Sequence, residues 1–185
     1  MAGLKFRVLL DSENTAEIFR DILINDTDNF ESFYRAIVQA FQFQGNEMAS
    51  FYVSNDNWDK GHEISLMDMS YEDDSIDSPP AIMKDATIKN FLEEPDQKFI
   101  LVYDFMRMWI FLIELIGYEK EGPEQPSIIL SVGMAPPEDS RTAAIDDTMQ
   151  LGEFEDAEEE DFGMEDFDDG YDEEDFSGYN EYDYE

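Results

Sequence analysis

Residues 98–104 and 109–118 are apolar on both strand faces, with Phe99, Leu101 and Tyr103 against Ile100 and Val102 in the first, and Trp109, Phe111, Ile113 and Leu115 against Ile110 and Leu112 in the second. Strands of that kind belong in the interior of a covered sheet. Only residues 105–108 separate the two runs, which is hairpin length. The runs therefore pair antiparallel at the centre of the fold, and the rest of the chain must build a sheet outward from them.

The flanking patterns supply the neighbours. Residues 4–10 alternate, with Phe6, Val8 and Leu10 on one side and Lys5, Arg7 and Leu9 on the other, and in residues 17–24 Ile18, Ile22 and Ile24 share a face with Arg20. The polar break at residues 11–15 makes these a first hairpin. The period then changes, and Phe30, Phe33, Tyr34, Ile37, Val38 and Phe41 fall on one helical face, with Asp28 and Glu31 placed as a capping box. Residues 49–54 and 63–69 read as short strands around a reversing loop that carries Trp58. Residues 71–80 are acidic and end in Pro, the composition of a mobile surface excursion. Thr87 is positioned to cap a short helix running to Leu92, stopped by Pro95 and covering one sheet face. Residues 127–132 offer a last strand, after which residues 135–139 leave the domain. The expectation is one α+β domain over residues 1–140, an antiparallel or mixed sheet with a central hairpin and helices on one side.

Charge separates a second region. Of 47 acidic residues, 20 lie between Asp146 and Glu185, and no Lys or Arg follows Arg141. The remaining 27 acids face all 11 bases, so the net of −36 divides into −16 and −20. Self-repulsion with few aliphatic side chains predicts that residues 141–185 are disordered. Phosphates and anionic headgroups would repel such a chain, which excludes direct nucleic-acid or membrane binding and points to a basic protein surface, such as that of a DNA-binding protein whose nucleic acid the segment mimics. Phe162, Phe167, Tyr171 and Phe176 are interleaved with the acids. A tail that only keeps a domain soluble has no need of them, whereas a segment docking on a basic surface with apolar pockets does. The plain alternative is a solvated tail, and another is a segment that folds back on its own domain.

There is no Cys, which removes disulfides, thiolate chemistry and cysteine-containing zinc sites. The first ten residues lack the apolar core of a signal peptide, and the most apolar run, residues 109–117, is too short to span a bilayer; a cytoplasmic protein is expected. His62 is the only histidine and has no second histidine or cysteine to form a nucleophilic or metal set. Glu165 to Phe176 has Gly170 at the sixth place of a calcium loop, but Phe167 and Phe176 stand where oxygen ligands are required. Neither phosphate-binding Gly motifs nor basic, aromatic-interleaved patches occur. No metal or cofactor is expected. Asp104, Arg107 and Trp109 surround the hairpin turn, either as a recognition patch or as an ion pair fixing the turn with the indole packed below, and Trp58 and His62 are placed as candidates for the same rim. The enzymatic alternative is an oxygen-bound metal near Asp104 and Glu114.

Tyr103-Asp104-Phe105 followed by Trp109, with Phe19-Arg20-Asp21-Ile22, Ala40-Phe41-Gln42-Phe43, Phe51 and Pro136-Pro137-Glu138-Asp139 in order, resembles the Ri-plasmid ORF-three-like family, also labelled as passenger proteins of insertion elements. The similarity runs from about residue 5 to residue 139. Members usually have Gly-Asp after Tyr-Asp-Phe and a His two places beyond the Trp, where this chain has Met106, Arg107 and Phe111; they also carry His soon after the first helix, where Glu47, Met48 and Ala49 stand. The resemblance implies an α+β domain and brings no established activity. A non-enzymatic binding or adaptor protein is the expectation.

Overall fold

The computed structural model describes residues 1–13, 16–69 and 79–142. Eight strands form one mixed sheet: β1 (Gly3–Leu10), β2 (Phe19–Asn25), β3 (Ala49–Ser54), β4 (Glu63–Ser65), β5 (Ala81–Ile82), β6 (Lys98–Tyr103), β7 (Trp109–Glu119) and β8 (Ser127–Val132). Their spatial order is β5-β4-β3-β6-β7-β1-β2-β8. The β6–β7 pair thus occupies the two middle places, antiparallel, with Tyr103 opposite Trp109 and Lys98 opposite Glu114. Every pair is antiparallel except β4 with β5.

The expectation of several helices is corrected. Among the described residues there is one α-helix, α1 (Phe30–Ala40), and residues Ile88–Phe91 form only a 3-10 turn whose Thr87 side chain makes no capping bond. Four residues before the Pro95 stop are too few to establish i→i+4 bonding. The cap of α1 is also reassigned: the Asn29 side chain accepts from Ser32 N at 2.9 Å, whereas Asp28 turns back to accept from Asn25 N and Glu31 pairs with Arg35. Strand β4 is shorter than the seven residues expected, because its pairing with β3 covers only Ser50 to Tyr52.

Helix α1 packs on one sheet face through aromatic rings. Phe33 lies 4.8 Å from Phe6 and 5.6 Å from Phe51, and Phe30 lies 5.0 Å from Phe51 and 5.3 Å from Phe99. Beyond the helix, Phe41 and Phe43 continue the layer onto Phe111 and Trp109. These rings are all but inaccessible and form the core with the inward residues of the central strands. On the opposite face Ile100 and Val102 are buried while Ile110 and Leu112 are half-buried, so β7 is covered fully on one side only.

Arg20, placed by alternation on the core face, is 7% exposed there. Its Nε donates to Ala40 O at 3.2 Å, its Nη1 donates to Phe19 O and Val132 O, and its guanidinium lies 5.0 Å from the Phe41 ring. Helix α1 has no basic residue in its last turn, and Arg20 supplies the missing donor from the sheet. Burial lowers the Arg20 pKa from its ordinary value.

Candidate functional site

The turn between β6 and β7 is built around Asp104. Its backbone has φ +58°, a left-handed conformation that Asp tolerates, and its Oδ1 accepts from Met106 N at 3.0 Å and Arg107 N at 3.2 Å. Met108 closes the turn with φ +55°, its N–H donating to Asp104 O. The ion pair with Arg107 is present but long, 3.8 Å from Nη1 to Oδ2. Asp104 is 4% exposed, so its carboxylate is turned into its own loop. Trp109 is packed beneath, against Phe43 at 5.0 Å.

Residues 135–139 do not leave the domain as expected. They return across the hairpin, and Glu138–Ser140 forms a 3-10 turn above Trp109. Glu138 Oε1 accepts from the Tyr103 hydroxyl at 2.5 Å, Glu138 Oε2 accepts from Gln44 N at 2.7 Å, and Glu138 O accepts from Trp109 Nε1 at 3.1 Å. Arg141 follows, its guanidinium 4.5 Å from the Trp109 ring and donating to Met108 O and Asp11 O. The strap that leads to the acidic segment is thus held by three donors onto Glu138, the Tyr103 phenol, the Gln44 N–H and the Trp109 indole N–H, and by the two hydrogen bonds of the Arg141 guanidinium. Tyr103 is pushed up in pKa by burial first and then by its bond to Glu138. Tyr34, whose ring is 6.2 Å from that of Tyr103, is pushed up to about 12, again by burial first and by Glu138 next. The strap was in view in Pro136-Pro137-Glu138-Asp139, but no local pattern shows that an exposed-looking Glu will meet a Tyr thirty-five residues earlier.

The other candidates lie elsewhere. Trp58, with φ +59°, stands 5.9 Å from Lys98 Nζ, and His62 stacks on Phe91 at 6.3 Å. Both belong to the Lys98 end of the hairpin, so neither lines the Asp104 rim. The pairing of Asp104 with Glu114 around one metal is overturned by register. Glu114 is opposite Lys98, six residues from Asp104 along β6 and hence roughly 20 Å away. Its carboxylate instead continues a cross-strand row in which Asp21 pairs with Arg7 at 2.8 Å, Arg7 is opposite Glu114, and Glu114 is 3.8 Å from Lys98 Nζ. The hydrogen bond to Asp21 raises the Arg7 pKa, and that to Asp56 raises the Lys98 pKa. Among the described residues no group of three or more His, Cys, Asp or Glu could hold a metal ion, and no helix is long and apolar enough to cross a membrane. Phe162, Phe167, Tyr171 and Phe176 lie outside the described residues.

A family model described as plasmid pRiA4b ORF-3-like protein matches residues 2–179, which carries the match past Asp139 and through most of the acidic segment. Among solved structures, the crystal structure of a protein of unknown function from Methanosarcina mazei Go1 is similar, with a TM-score of 0.61 and 22% identity over 80% of each chain. That likeness shows the fold. No curated protein matches the chain.

Proposed function

This chain belongs to the plasmid pRiA4b ORF-3-like protein family, and on that premise we propose a non-enzymatic binding or adaptor protein that docks a basic protein partner through its acidic C-terminal segment. The observation that carries this reading is the charge step after Arg141, beyond which 20 acids are interleaved with aromatic residues and meet no base. The partner's surface is read as cationic with apolar pockets, one that takes the acids by charge and Phe162, Phe167, Tyr171 and Phe176 by burial. A DNA-binding protein presents such a surface, and a chain so acidic does not compete for its nucleic acid directly.

The described residues support a scaffold role for the domain. Several of its charged groups are engaged in holding structure: Asp104 in its turn, Glu138 on Tyr103 and Gln44, and Glu114 and Arg7 in the cross-strand row. Arg141, the last basic residue, is bonded to Met108 O in the central hairpin and to Asp11 O just past the end of β1.

The test is recovery of partners from native lysate by the full chain and by a chain ending at Thr142, at low and high salt. A partner held only by the full chain and released by salt supports docking through the segment. A partner recovered equally by both assigns binding to the folded domain and contradicts the proposal.

A further inference from the structure

Beside the hairpin tip, on the sheet face away from α1, Met48, Met67, Met69, Ile82 and Phe105 wall a cleft of about 290 Å³. Three of these are large apolar side chains left open to solvent: Met67 is 56% exposed, Met69 57% and Phe105 44%. Single exposed apolar residues are ordinary, but several lining one concavity are not. The polar floor gives a ligand little to bond. Ser50 Oγ donates to Glu63 Oε1 at 2.7 Å and Ser65 Oγ donates to Met67 O at 2.8 Å, so both hydroxyl protons are used within the protein. The ionisable residues of the described lining, Glu63 and Asp68, are acidic, and no Lys or Arg lines it.

These features select a ligand class. The volume is at the lower limit of small-ligand sites, which run from about 300 to 1,000 Å³, and suits an anchoring side chain better than a whole cofactor. Methionine walls adapt their rotamers to an apolar guest without a fixed shape. The Glu63 carboxylate at the rim, with no Lys or Arg in the described lining, favours a guest whose next residues are cationic. We infer that the cleft walled by Met67, Met69 and Phe105 receives an apolar side chain from a basic, amphipathic segment of a partner protein, with Lys or Arg of that segment facing Glu63. The inference rests on the docking reading above and adds a second, apolar contact on the folded domain for the same basic partner.

The experiment uses the full chain and three probes: a short Leu/Lys peptide patterned as an amphipathic helix, a peptide of the same composition with its leucines scattered, and polylysine. Phe105→Ser and Met67→Ser remove a wall at exposed positions, and Phe105→Leu keeps it. The patterned peptide should bind more tightly than the scattered one. Its affinity should fall about tenfold in either Ser variant, the scale set by the burial of one large side chain, and stay within about threefold in Phe105→Leu. Polylysine binding should be unchanged by all three. Equal affinity of the patterned peptide for wild type and both Ser variants overturns the cleft assignment, as does equal binding of the patterned and scattered peptides. Failure of polylysine to bind the wild type contradicts docking by the acidic segment and leaves the cleft to be decided by the patterned peptide.

Discussion

The Glu138 carboxylate ties Tyr103, at the end of a central strand, to the loop after α1, accepting from the Tyr103 hydroxyl at 2.5 Å and from Gln44 N at 2.7 Å. The residue that bridges them comes from the 3-10 turn Glu138–Ser140, so the strap is a structural part of the domain. Tyr103 is fully buried, which makes its hydroxyl costly to leave without an acceptor. Glu138→Ala should destabilise by about 1–3 kcal/mol in urea unfolding, and Tyr103→Phe by less, since the buried phenol goes with its bond and only the half-buried Gly45 N–H, 3.1 Å from that hydroxyl, loses its acceptor. Unfolding midpoints equal to wild type in both would mean that the strap contributes nothing.

Alkaline pH reports the same cluster. Tyr34 and Tyr103 both have folded-state pKa values raised above the ordinary 10.0, Tyr34 to about 12. A group that holds its proton more tightly when folded contributes stability that is intact below the unfolded pKa and lost as pH rises through the folded one. Stability should therefore be flat with respect to these phenols up to about pH 10 and decline above it, the Tyr34 share being lost by about pH 12 and the Tyr103 share later. Tyr34→Phe should reduce the decline, measured by denaturant midpoints across that range.

At neutral pH the same substitution tests burial. The Tyr34 hydroxyl is buried and has no hydrogen-bond partner among the described residues. Removing it takes away an unsatisfied group, so Tyr34→Phe should be neutral or stabilise by up to about 1 kcal/mol. A loss of more than that would point to a bonded hydroxyl.

Asp104 separates side-chain shape from charge. Asp104→Asn keeps an acceptor for Met106 N and Arg107 N and tolerates φ +58°, so it should change stability by less than about 0.5 kcal/mol. Asp104→Ala loses both bonds and strains the backbone, and should cost about 1–2 kcal/mol. Equal losses in the two variants would instead assign the role to the 3.8 Å ion pair with Arg107.

Arg20 is expected to be intolerant of Lys. An ammonium on a flexible stem cannot reach Ala40 O, Phe19 O and Val132 O together or lie flat on Phe41. Arg20→Lys should cost about 1–3 kcal/mol, with the loss read as a lower unfolding midpoint.

Local patterns carried most of the sheet. The residues of β3 and β8 are the ones that alternation and turn chemistry indicate, and the short gap between two doubly apolar runs is enough to put β6 and β7 at the centre. The errors arise where a decision depends on tertiary context. Asn29 and Asp28 are adjacent acceptors, and only the path of the chain from β2 decides which caps α1. Strand register, invisible before pairing is known, separates Asp104 from Glu114 and draws Glu114 to Lys98. The strap across Trp109 depends on contacts between residues 29 to 130 positions apart, with no periodicity to announce them. The Met-walled cleft likewise gathers Met48, Met67 and Phe105 from three separate segments.

The most direct test of docking keeps every charge and removes the rings. Partners recovered from native lysate by the full chain are compared with those recovered by a full chain carrying Phe162→Ser, Phe167→Ser, Tyr171→Ser and Phe176→Ser, with net charge −36 in both. The account predicts that a specific, salt-released partner held by the wild type is lost from the variant, because acids bring the basic surface near and aromatic burial makes the contact specific. Recovery of the same partner in the same amount by both chains would contradict it, leaving the segment a carrier of charge alone.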